Sequence, residues 1–389
     1  MAKKRSNNEG SIYRRKSGSW RAMVSVNGKR VSYSAKTKAE CQKWVRKMHN
    51  QLDQGWDFDG SQVILEEYLY QWLNMHKVTL RDHTIHRYMQ IIKNHIVPHI
   101  GNMQLKDLHL ARLESYYALL IGAGVGTRTI REVHAVLHKS LKKAVRYGYI
   151  QVNPAHGAAL PRYKHAEMQI LDENQVSQFL VASHNSRHRT LYHLAVVTGS
   201  RQGELFGLRW PDLKWNSGIL YIKRQVQQIP GQRWKFIEPK TKSGRRSIRL
   251  GESTLQILRE HLELQQEHKV KVGNRWKEND LIFPSSVGTP LNPSNLRLDF
   301  IRILDVGGLP KIRFHDLRHT AASLMLNHGV PVIVVSKILG HAKPSTTMDI
   351  YGHLIHEMQG EAAKVMDNLV TPIRVEITES IKEVQQYRE

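Results

Sequence analysis

Two kinds of residue are scarce in this sequence, and each shortage limits what the protein can be. Cysteine occurs once, as Cys41, so no internal disulfide can form and a reducing cytoplasm is the expected compartment. Acidic residues are also few, with 34 against 58 lysines and arginines, which leaves a net charge of +24. Because each phosphate that a lysine or arginine neutralises releases a counterion, a surplus of this size indicates a nucleic-acid partner. The alternative is a solvated surface whose charge serves solubility.

Long apolar runs are missing as well. Those present, such as Val332–Val335, are far too short to span a bilayer, and the basic residues Met1–Arg5 are not followed by the apolar stretch of a secretory signal. We therefore expect a soluble cytoplasmic protein without a membrane partner. A chain of 389 residues also exceeds what one hydrophobic core usually serves, so two or three domains are expected.

Half of the net charge lies in the first eighth of the chain. Residues 1–50 hold 14 lysines and arginines against two glutamates, a net charge of +12. Short alternating runs at Ser11–Arg15, Trp20–Val26 and Arg30–Ala35 predict three strands, and Lys38–Met48 predicts a helix. So small a sheet has little core and is suited to lie against DNA, although a merely positive tail is the alternative. The DNA contacts expected here are Arg14, Arg15, Lys16, Arg21, Lys29 and Arg30.

The remainder divides into a helical part and a mixed part, so the predicted fold class is multidomain α+β. We expect a basic N-terminal domain over 1–55 with a three-stranded sheet and one helix, and a four-helix bundle over 60–160 with Lys139, Lys142 and Lys143 facing DNA. A mainly helical domain with a small antiparallel sheet follows over 165–371. Residues 372–389 form a tail whose alternating Ile373–Ile377 predicts a lone strand, which must find a partner on a neighbouring subunit.

The mixed domain has two local signals that can be checked directly. Asp172 and Gln175 have the spacing of a capping box, which predicts that a helix begins there. Strands are predicted at Ile219–Arg224, Trp234–Pro239 and Ser247–Leu250, with the basic turn Lys240–Arg246 joining the last two as a hairpin. Arg245 and Arg246 in this turn are expected to contact DNA, although a solvated turn is the alternative.

Three segments of the mixed domain carry residues suited to phosphate chemistry. They are Thr198–Leu205 (TGSRQGEL), His315–Thr320 (HDLRHT), and Leu339–His341 (LGH) with Ser345–Tyr351 (STTMDIY) shortly after it. Their order and spacing resemble the tyrosine recombinase (phage integrase) family, which is marked by T-G-x-R-x-x-E-L, H-x-x-R, L-G-H and a tyrosine after S-T-T. The resemblance covers roughly two hundred residues here, and the basic and helical domains before it resemble the arm-binding and core-binding domains of three-domain integrases.

The chemistry explains why such residues are needed. A phosphodiester can be broken without losing its energy if a side chain forms a covalent intermediate, and Tyr351 is the expected nucleophile. Guanidinium pairs match the charge that spreads over phosphate oxygens, so Arg201 and Arg318 are expected to clamp the phosphate. The resemblance implies that His315 and His341 donate hydrogen bonds or move protons there, and that Lys242 is the acid for the leaving 5′-oxygen. Glu204 is expected to align a guanidinium or His315, and His319 is assigned to packing or support.

Three other functions remain open at this point. His315 and His319, with Asp316 between them, resemble the zinc-protease pattern H-E-x-x-H, but Arg318 on the same helix face opposes a divalent cation. A non-catalytic DNA-binding regulator would explain the charge and leave the catalytic set unused. A type IB topoisomerase shares the tyrosine chemistry but has no need of a separate basic N-terminal module.

The resemblance also implies partners and biology. We expect a homotetramer that acts on double-stranded attachment-site DNA with core and arm sites, and that integrates and excises a phage or mobile element. A host DNA-bending protein and an excision factor would assist it. The phosphotyrosyl bond stores the energy of the broken strand, so no metal and no other cofactor is expected.

Overall fold

The structure is a computed structural model, and it describes residues 10–26, 29–53, 60, 62–163, 168–228, 231, 234–239, 242–355 and 363–370. The side chains of residues 29, 51, 242 and 352–355 are outside that description. The chain divides into two compact units, Met1–His165 and Ala166–Glu389. The predicted tail strand Ile373–Ile377 lies outside the described residues.

The first unit begins with a three-stranded antiparallel sheet in which the central strand pairs with both neighbours. The alternating residues Trp20–Val26 turn Ala22, Val24 and Val26 towards a helix, where they pack with Cys41 and Val45. This confirms the predicted sheet and helix, although the helix runs five residues further than the sequence indicated. The elements are β1 (Ser11–Arg14), β2 (Trp20–Val26), β3 (Lys29–Ala35) and α1 (Lys38–Asp53).

The rest of the first unit is a helical bundle with an apolar core of its own. Leu69, Trp72, Leu113 and Leu137 are fully buried in it, as expected for helices that each turn one apolar face inward. A π-helical turn at Ile92–Ile96 joins the helices Asp82–Ile91 and Val97–Ile100 into one continuous helical segment. The helices are α2 (Leu65–His76), α3 (Asp82–Ile91), α4 (Val97–Ile100), α5 (Leu110–Gly122) and α6 (Thr127–Arg146).

The second unit is mainly helical. Its first helix begins at the predicted capping box, in which the Asp172 carboxylate accepts from the Gln175 backbone N–H at 2.8 Å and the Gln175 side chain accepts from the Asp172 backbone. Beyond the last complete helix, residues 363–370 are also helical. The helices are α7 (Glu173–Ala182), α8 (Arg189–Thr198), α9 (Gln202–Phe206), α10 (Glu252–Val272), α11 (Pro293–Val306), α12 (Asp316–Asn327), α13 (Val332–Leu339) and α14 (Pro344–Ile355).

The strands of the second unit are small and antiparallel, which confirms the predicted fold class, but their pairing differs from the expected hairpin. The strand before the basic turn, β7 (Lys235–Ile237), pairs with β6 (Gln225–Gln227), whereas the strand after the turn, β8 (Arg246–Arg249), pairs with β5 (Ile219–Ile222). The reason is that Leu220 and Ile222 of β5 bury their side chains together with Ile248 of β8, and this long-range packing fixes the partner. The strands are β4 (Leu213–Lys214), β5 (Ile219–Ile222), β6 (Gln225–Gln227), β7 (Lys235–Ile237) and β8 (Arg246–Arg249).

No helix among the described residues is both long enough and apolar enough to cross a membrane.

Candidate active site

Two helix ends meet at the centre of the candidate site. α8 ends at Gly199 and α13 ends at Gly340, and both glycines have a left-handed backbone, with φ of +57° and +70°. The approach at Gly199 is close: a Cβ there would lie 2.6 Å from Cδ2 of Leu339, the last residue of α13. The left-handed backbone therefore favours glycine at position 199, and a Cβ there would also have to displace the end of the Leu339 side chain.

Arg318 is held by these two helix ends. Its side chain is buried, and it donates to the Gly199 carbonyl at 2.8 Å and to the Leu339 carbonyl at 2.7 Å. Carbonyls at the end of a helix lack a partner within the helix and carry part of the negative end of its dipole, so they suit a cation. Burial and the nearby charge of Arg201 lower the pKa of the Arg318 guanidinium, but an arginine starts so high that it keeps its proton at neutral pH.

A buried carboxylate links the other two arginines of the site. Glu204 is 2% exposed and accepts from Arg201 Nη1 and from Arg246 Nη2, each at 2.9 Å. It also accepts from the backbone N–H of Arg201 at 3.0 Å. Burial alone would raise the pKa of the Glu204 carboxyl, but the hydrogen bond and charge of Arg246, together with Arg201, hold it below its ordinary value. Glu204 therefore aligns guanidinium groups, and the described residues include no hydrogen bond from it to His315.

Arg246 was expected to lie on the surface and contact DNA, and the structure shows that this prediction is wrong. Its side chain is only 6% exposed and is bonded to Glu204 and to the carbonyls of Ile338 and Gly244. The burial follows from the pairing of β8 with β5, which draws the start of β8 under the end of α13. Arg245, in contrast, is exposed and pairs with Glu238.

Tyr351 lies on α14 and is 2% exposed. Its ring packs with Ala322, Leu326 and Leu339, and its hydroxyl is hydrogen-bonded to Nδ1 of His319 at 2.6 Å. Burial raises the pKa of the Tyr351 phenol to about 12, although the charge of Arg318 acts in the opposite direction. The hydroxyl is therefore protonated at neutral pH in this conformation.

Three histidines surround the arginines. Burial, His319 and Arg318 lower the pKa of His315 to about 4, and burial with the charges of Arg318 and Arg201 does the same for His341. Both imidazoles are thus neutral at pH 7. His341 Nδ1 is hydrogen-bonded to Thr347 Oγ1 at 2.8 Å, and the rings of His315 and His319 meet edge to face at 5.2 Å.

An open cleft of about 530 Å³ lies beside these groups. Lys242 begins a single 3-10 turn, Lys242–Gly244, close in sequence to the cleft wall, but its side chain is outside the described residues. The same turn touches the site, because a Cβ on Gly340 would lie 2.9 Å from the Ser243 carbonyl. The cleft is lined by Arg201, Glu204, Gln225, Val226, Gln227, Pro239, Gly244, Gly340, His341, Ala342 and Thr346.

The DNA contacts predicted in the first unit lie partly on the three-stranded sheet and partly on the helix α6. In the sheet, Arg14 and Arg21 are tied to the protein by hydrogen bonds, Arg14 to the Gly18 carbonyl at 3.3 Å and Arg21 to Ser32 at 2.8 Å. On α6, the Lys139 ammonium lies 5.4 Å from the centre of the Tyr88 ring. The others are exposed or half-buried, except that the side chain of Lys29 is outside the described residues: Arg15, Lys16, Arg30, Lys142 and Lys143.

Two contacts of the site have no counterpart among the predictions from sequence. His319 had no predicted partner, whereas the structure places it against Tyr351, and Arg246 had no predicted carboxylate, whereas the structure pairs it with Glu204. The position of His319 one turn after His315 was a usable signal, since both lie on one helix face. Among the described residues no group of three or more histidines, cysteines and carboxylates could hold a metal ion, and Asp316 is bonded to Arg313.

Comparison with known proteins identifies relatives of the chain. The Phage integrase family matches residues 169–358, and the Phage integrase, N-terminal SAM-like domain matches residues 64–118. A tyrosine recombinase XerC-like protein of Caldanaerobacter subterraneus subsp. tengcongensis is 29% identical over 364 residues, covering 88% of this chain and 93% of the relative. The ICEBs1 integrase of Bacillus subtilis is 24% identical over 282 residues, covering 72% and 76%.

Solved structures share the fold. The Tn1549 transposon integrase in complex with transposon right end DNA has a TM-score of 0.67 at 19% identity, covering 77% of this chain and 100% of that one. A lambda integrase tetramer bound to a Holliday junction has a TM-score of 0.55 at 19% identity, covering 90% and 97%.

Proposed function

Because the chain belongs to the phage integrase family and is a tyrosine recombinase, we propose that it cleaves and rejoins DNA at specific sites through a 3′-phosphotyrosyl bond to Tyr351. The observation that carries this proposal is the charge of the site. Arg201, Arg246 and Arg318 are brought together, and Glu204 is the carboxylate that, among the described residues, is bonded to the first two of them. Three positive charges against one negative leave the site short of an anion, and a DNA phosphate would supply it.

Each arginine has a different part in this proposal. Among the described residues Arg318 donates two of its five N–H groups to backbone carbonyls, which would leave three for phosphate oxygens. Arg201 is 38% exposed and would be the arginine that a DNA phosphate reaches from solvent, whereas Arg246 is buried and holds Glu204 in place. The neutral imidazoles of His315 and His341 would add N–H donors. If Nδ1 of His341 accepts from Thr347, then Nε2 carries the proton that faces the phosphate.

The reaction would proceed as an exchange of oxygen atoms on phosphorus. Tyr351 Oη gives up its proton to a base and forms a bond to phosphorus, the bond from phosphorus to the 5′-oxygen breaks, and that oxygen takes a proton from Lys242 Nζ. The 5′-hydroxyl of the partner strand then attacks the phosphotyrosyl bond in the reverse sense and releases Tyr351. Since Tyr351 is 2% exposed, we expect residues that cover it to move aside when DNA binds.

The wider assembly follows from the same proposal. Two sites and two strands per site require four copies of the chain, and the similar lambda integrase structure is a tetramer on a Holliday junction. We assign residues 1–55 to arm-type DNA, 60–160 to the core site, 165–371 to catalysis and 372–389 to contact with a neighbouring copy. The biological role would be integration and excision of a phage or mobile element in the cytoplasm of a bacterium, with a host DNA-bending protein and an excision factor as partners.

A nicked suicide substrate tests the proposal, because the broken end diffuses away and traps the covalent complex. Wild-type protein should give a covalent band in excess EDTA and without nucleotide, whereas Tyr351→Phe should bind the same DNA and give none. Tyr147→Phe, which removes an exposed hydroxyl in the first unit, is the matched control and should behave as wild type.

Two results would contradict the proposal and point to the alternatives. A covalent band from Tyr351→Phe would show that another residue is the nucleophile. A wild-type protein that binds attachment-site DNA without cleaving it would be a regulator, and one that relaxes supercoils without exchanging strands would be a topoisomerase.

A further inference from the structure

The hydroxyl of the proposed nucleophile meets a histidine that the proposed function leaves unused. The Tyr351 ring lies in an apolar cluster with Ala322, Leu326 and Leu339, and its Oη is 2.6 Å from His319 Nδ1. The ring centres of Tyr351 and His319 are 5.9 Å apart and the rings are tilted, so the contact is made by the hydroxyl and the ring nitrogen. Within the described part of the chain, His319 is the hydrogen-bond partner of this hydroxyl.

α12 places His319 where it can serve the tyrosine while Arg318 serves the phosphate. The two residues are consecutive, so their side chains leave the helix in different directions. Arg318 reaches the ends of α8 and α13, and His319 reaches α14. The same helix thus connects the anion site to the atom that would attack it.

We propose that His319 is a further catalytic residue, the base that takes the proton of Tyr351. As Tyr351 Oη forms its bond to phosphorus, the O–H bond breaks and its proton passes to His319 Nδ1, while the 5′-oxygen departs with the electron pair of its bond to phosphorus. On rejoining, the imidazolium returns that proton to Tyr351 as it leaves. This inference rests on the proposed role of Tyr351 as nucleophile.

The charges around His319 support its role as an acceptor. Burial lowers the pKa of the imidazole, and Arg318 and Arg313 lower it further, while the opposing effect of Asp316 is smaller than their sum. The neutral form that prevails at pH 7 has a free electron pair for the proton. The titratable and charged groups that face His319 are His315, Asp316 and Arg318 on its own helix, Arg313 before it, His341 after α13 and Tyr351 on α14.

The tyrosine needs such an acceptor more than an exposed tyrosine would. With its pKa near 12, about one phenol in 10⁵ is ionised at pH 7, against about one in 10³ at the ordinary pKa of 10. The other two histidines are engaged elsewhere: His341 Nδ1 is bonded to Thr347, and His315 touches the ring of His319 but makes no hydrogen bond to Tyr351 among the described contacts. His319 is the histidine placed for the transfer.

Single-turnover cleavage of the suicide substrate, measured between pH 5 and 9, tests the inference. In wild-type protein the rate should rise with pH through a pKa below 6.5 and then level off. His319→Ala and His319→Gln should both be slower by about 10²–10⁴-fold at pH 7, and their rates should lose this step. His328→Ala is the matched control, because His328 ends the same helix in an exposed pair with Glu173, and it should keep the wild-type profile.

Two rescues separate a base from a residue that merely positions the tyrosine. Added imidazole should restore part of the rate to His319→Ala, whose truncated side chain leaves room for it, and none to Tyr351→Phe. A fluorinated tyrosine at position 351, with a more acidic phenol, should also narrow the gap between His319→Gln and wild type. His319→Gln is similar in size to histidine, so it guards against loss of the fold, and its DNA affinity and unfolding midpoint should match wild type.

The inference is overturned if His319→Gln cleaves as fast as wild type or faster, or if it is slow but keeps the wild-type pH step and neither rescue works. The last result would leave His319 as a positioning residue. Failure of the proposed function has a different signature, a covalent band from Tyr351→Phe, so the two can be told apart.

Discussion

The buried carboxylate Glu204 allows stability and catalysis to be separated by experiment. In Glu204→Ala, Arg246 keeps its charge at 6% exposure but loses its carboxylate partner. Removing one partner of a buried ion pair costs about 3–5 kcal/mol, because the remaining charge is neither solvated nor paired. We therefore expect the free energy of unfolding of the unit Ala166–Glu389 to fall by about that amount.

Substitutions of Glu204, Arg201 and Arg246 should rank in one order by their loss of unfolding free energy and in another by their loss of cleavage rate. Arg201→Ala removes a side chain that is 38% exposed, so its ion pair is screened and the loss of stability should be about 1 kcal/mol or less. Arg246→Ala should cost an intermediate amount, since Glu204 keeps Arg201 as a partner. In the cleavage assay, by contrast, Arg201→Ala should have a large effect. Its rate should be lower by about 10²–10³-fold, because the substitution removes a donor to the phosphate.

Urea unfolding, followed by hydrogen exchange of peptides from the second unit, measures this loss of stability. The pH dependence of the stability provides a second test. The folded pKa of Glu204 lies below its ordinary value, so its stabilising contribution is complete above about pH 4.3 and is lost as the pH falls through the folded pKa. The difference in unfolding free energy between wild type and Glu204→Gln should therefore become smaller in acid. Glu278→Ala, at an exposed pair with Lys269, is the control and should cost less than about 1 kcal/mol. Equal losses for Glu204→Ala and Glu278→Ala would refute the reasoning.

Three further changes have defined outcomes. Gly199→Ala should lower the melting temperature, since its left-handed φ and 2.6 Å contact together cost about 1–3 kcal/mol, whereas Gly122→Ala, with open space around it, should not; equal melting temperatures would contradict this. Lys242→Ala should cleave ordinary DNA poorly but should cleave DNA with sulfur at the leaving 5′ position about as fast as wild type, because sulfur leaves without a proton. Lys240→Ala should lose a little activity on both substrates, and its rescue by sulfur would make Lys240 the acid instead. Deleting residues 1–55 should abolish footprints on distant arm sites and spare core cleavage, and unchanged footprints would refute a separate arm-binding domain.

Local elements of the fold could be predicted from the sequence because their causes are local. The strand Trp20–Val26 has the predicted ends, since its alternating residues fill one small core. The capping box at Asp172 likewise depends on residues three apart. Strand pairing in the second unit was not predictable in this way. β6 (Gln225–Gln227) is polar and short, so it gave no signal, and its pairing with β7 replaced the expected hairpin.

In the candidate site, too, local features could be predicted from the sequence and long-range contacts could not. Its residue types followed from the spacing of the motifs, but their contacts join residues far apart in sequence. Arg246 reaches Glu204 across 42 positions and His319 reaches Tyr351 across 32. Sequence alone therefore assigned Arg246 to the surface and gave His319 no specific partner.

The glycines of the motifs show why residues that do no chemistry stand beside those that do. In T-G-S-R, Gly199 ends α8 in a left-handed turn, and in L-G-H, Gly340 ends α13 in the same way. Each turn stops the helix so that a carbonyl at its end is free, and both carbonyls are then used by Arg318. Among the described residues Arg318 is bonded to no carboxylate, so its charge is available to a phosphate. A carboxylate at the same place would hold Arg318 equally well but would remove the attraction on which the proposed reaction depends.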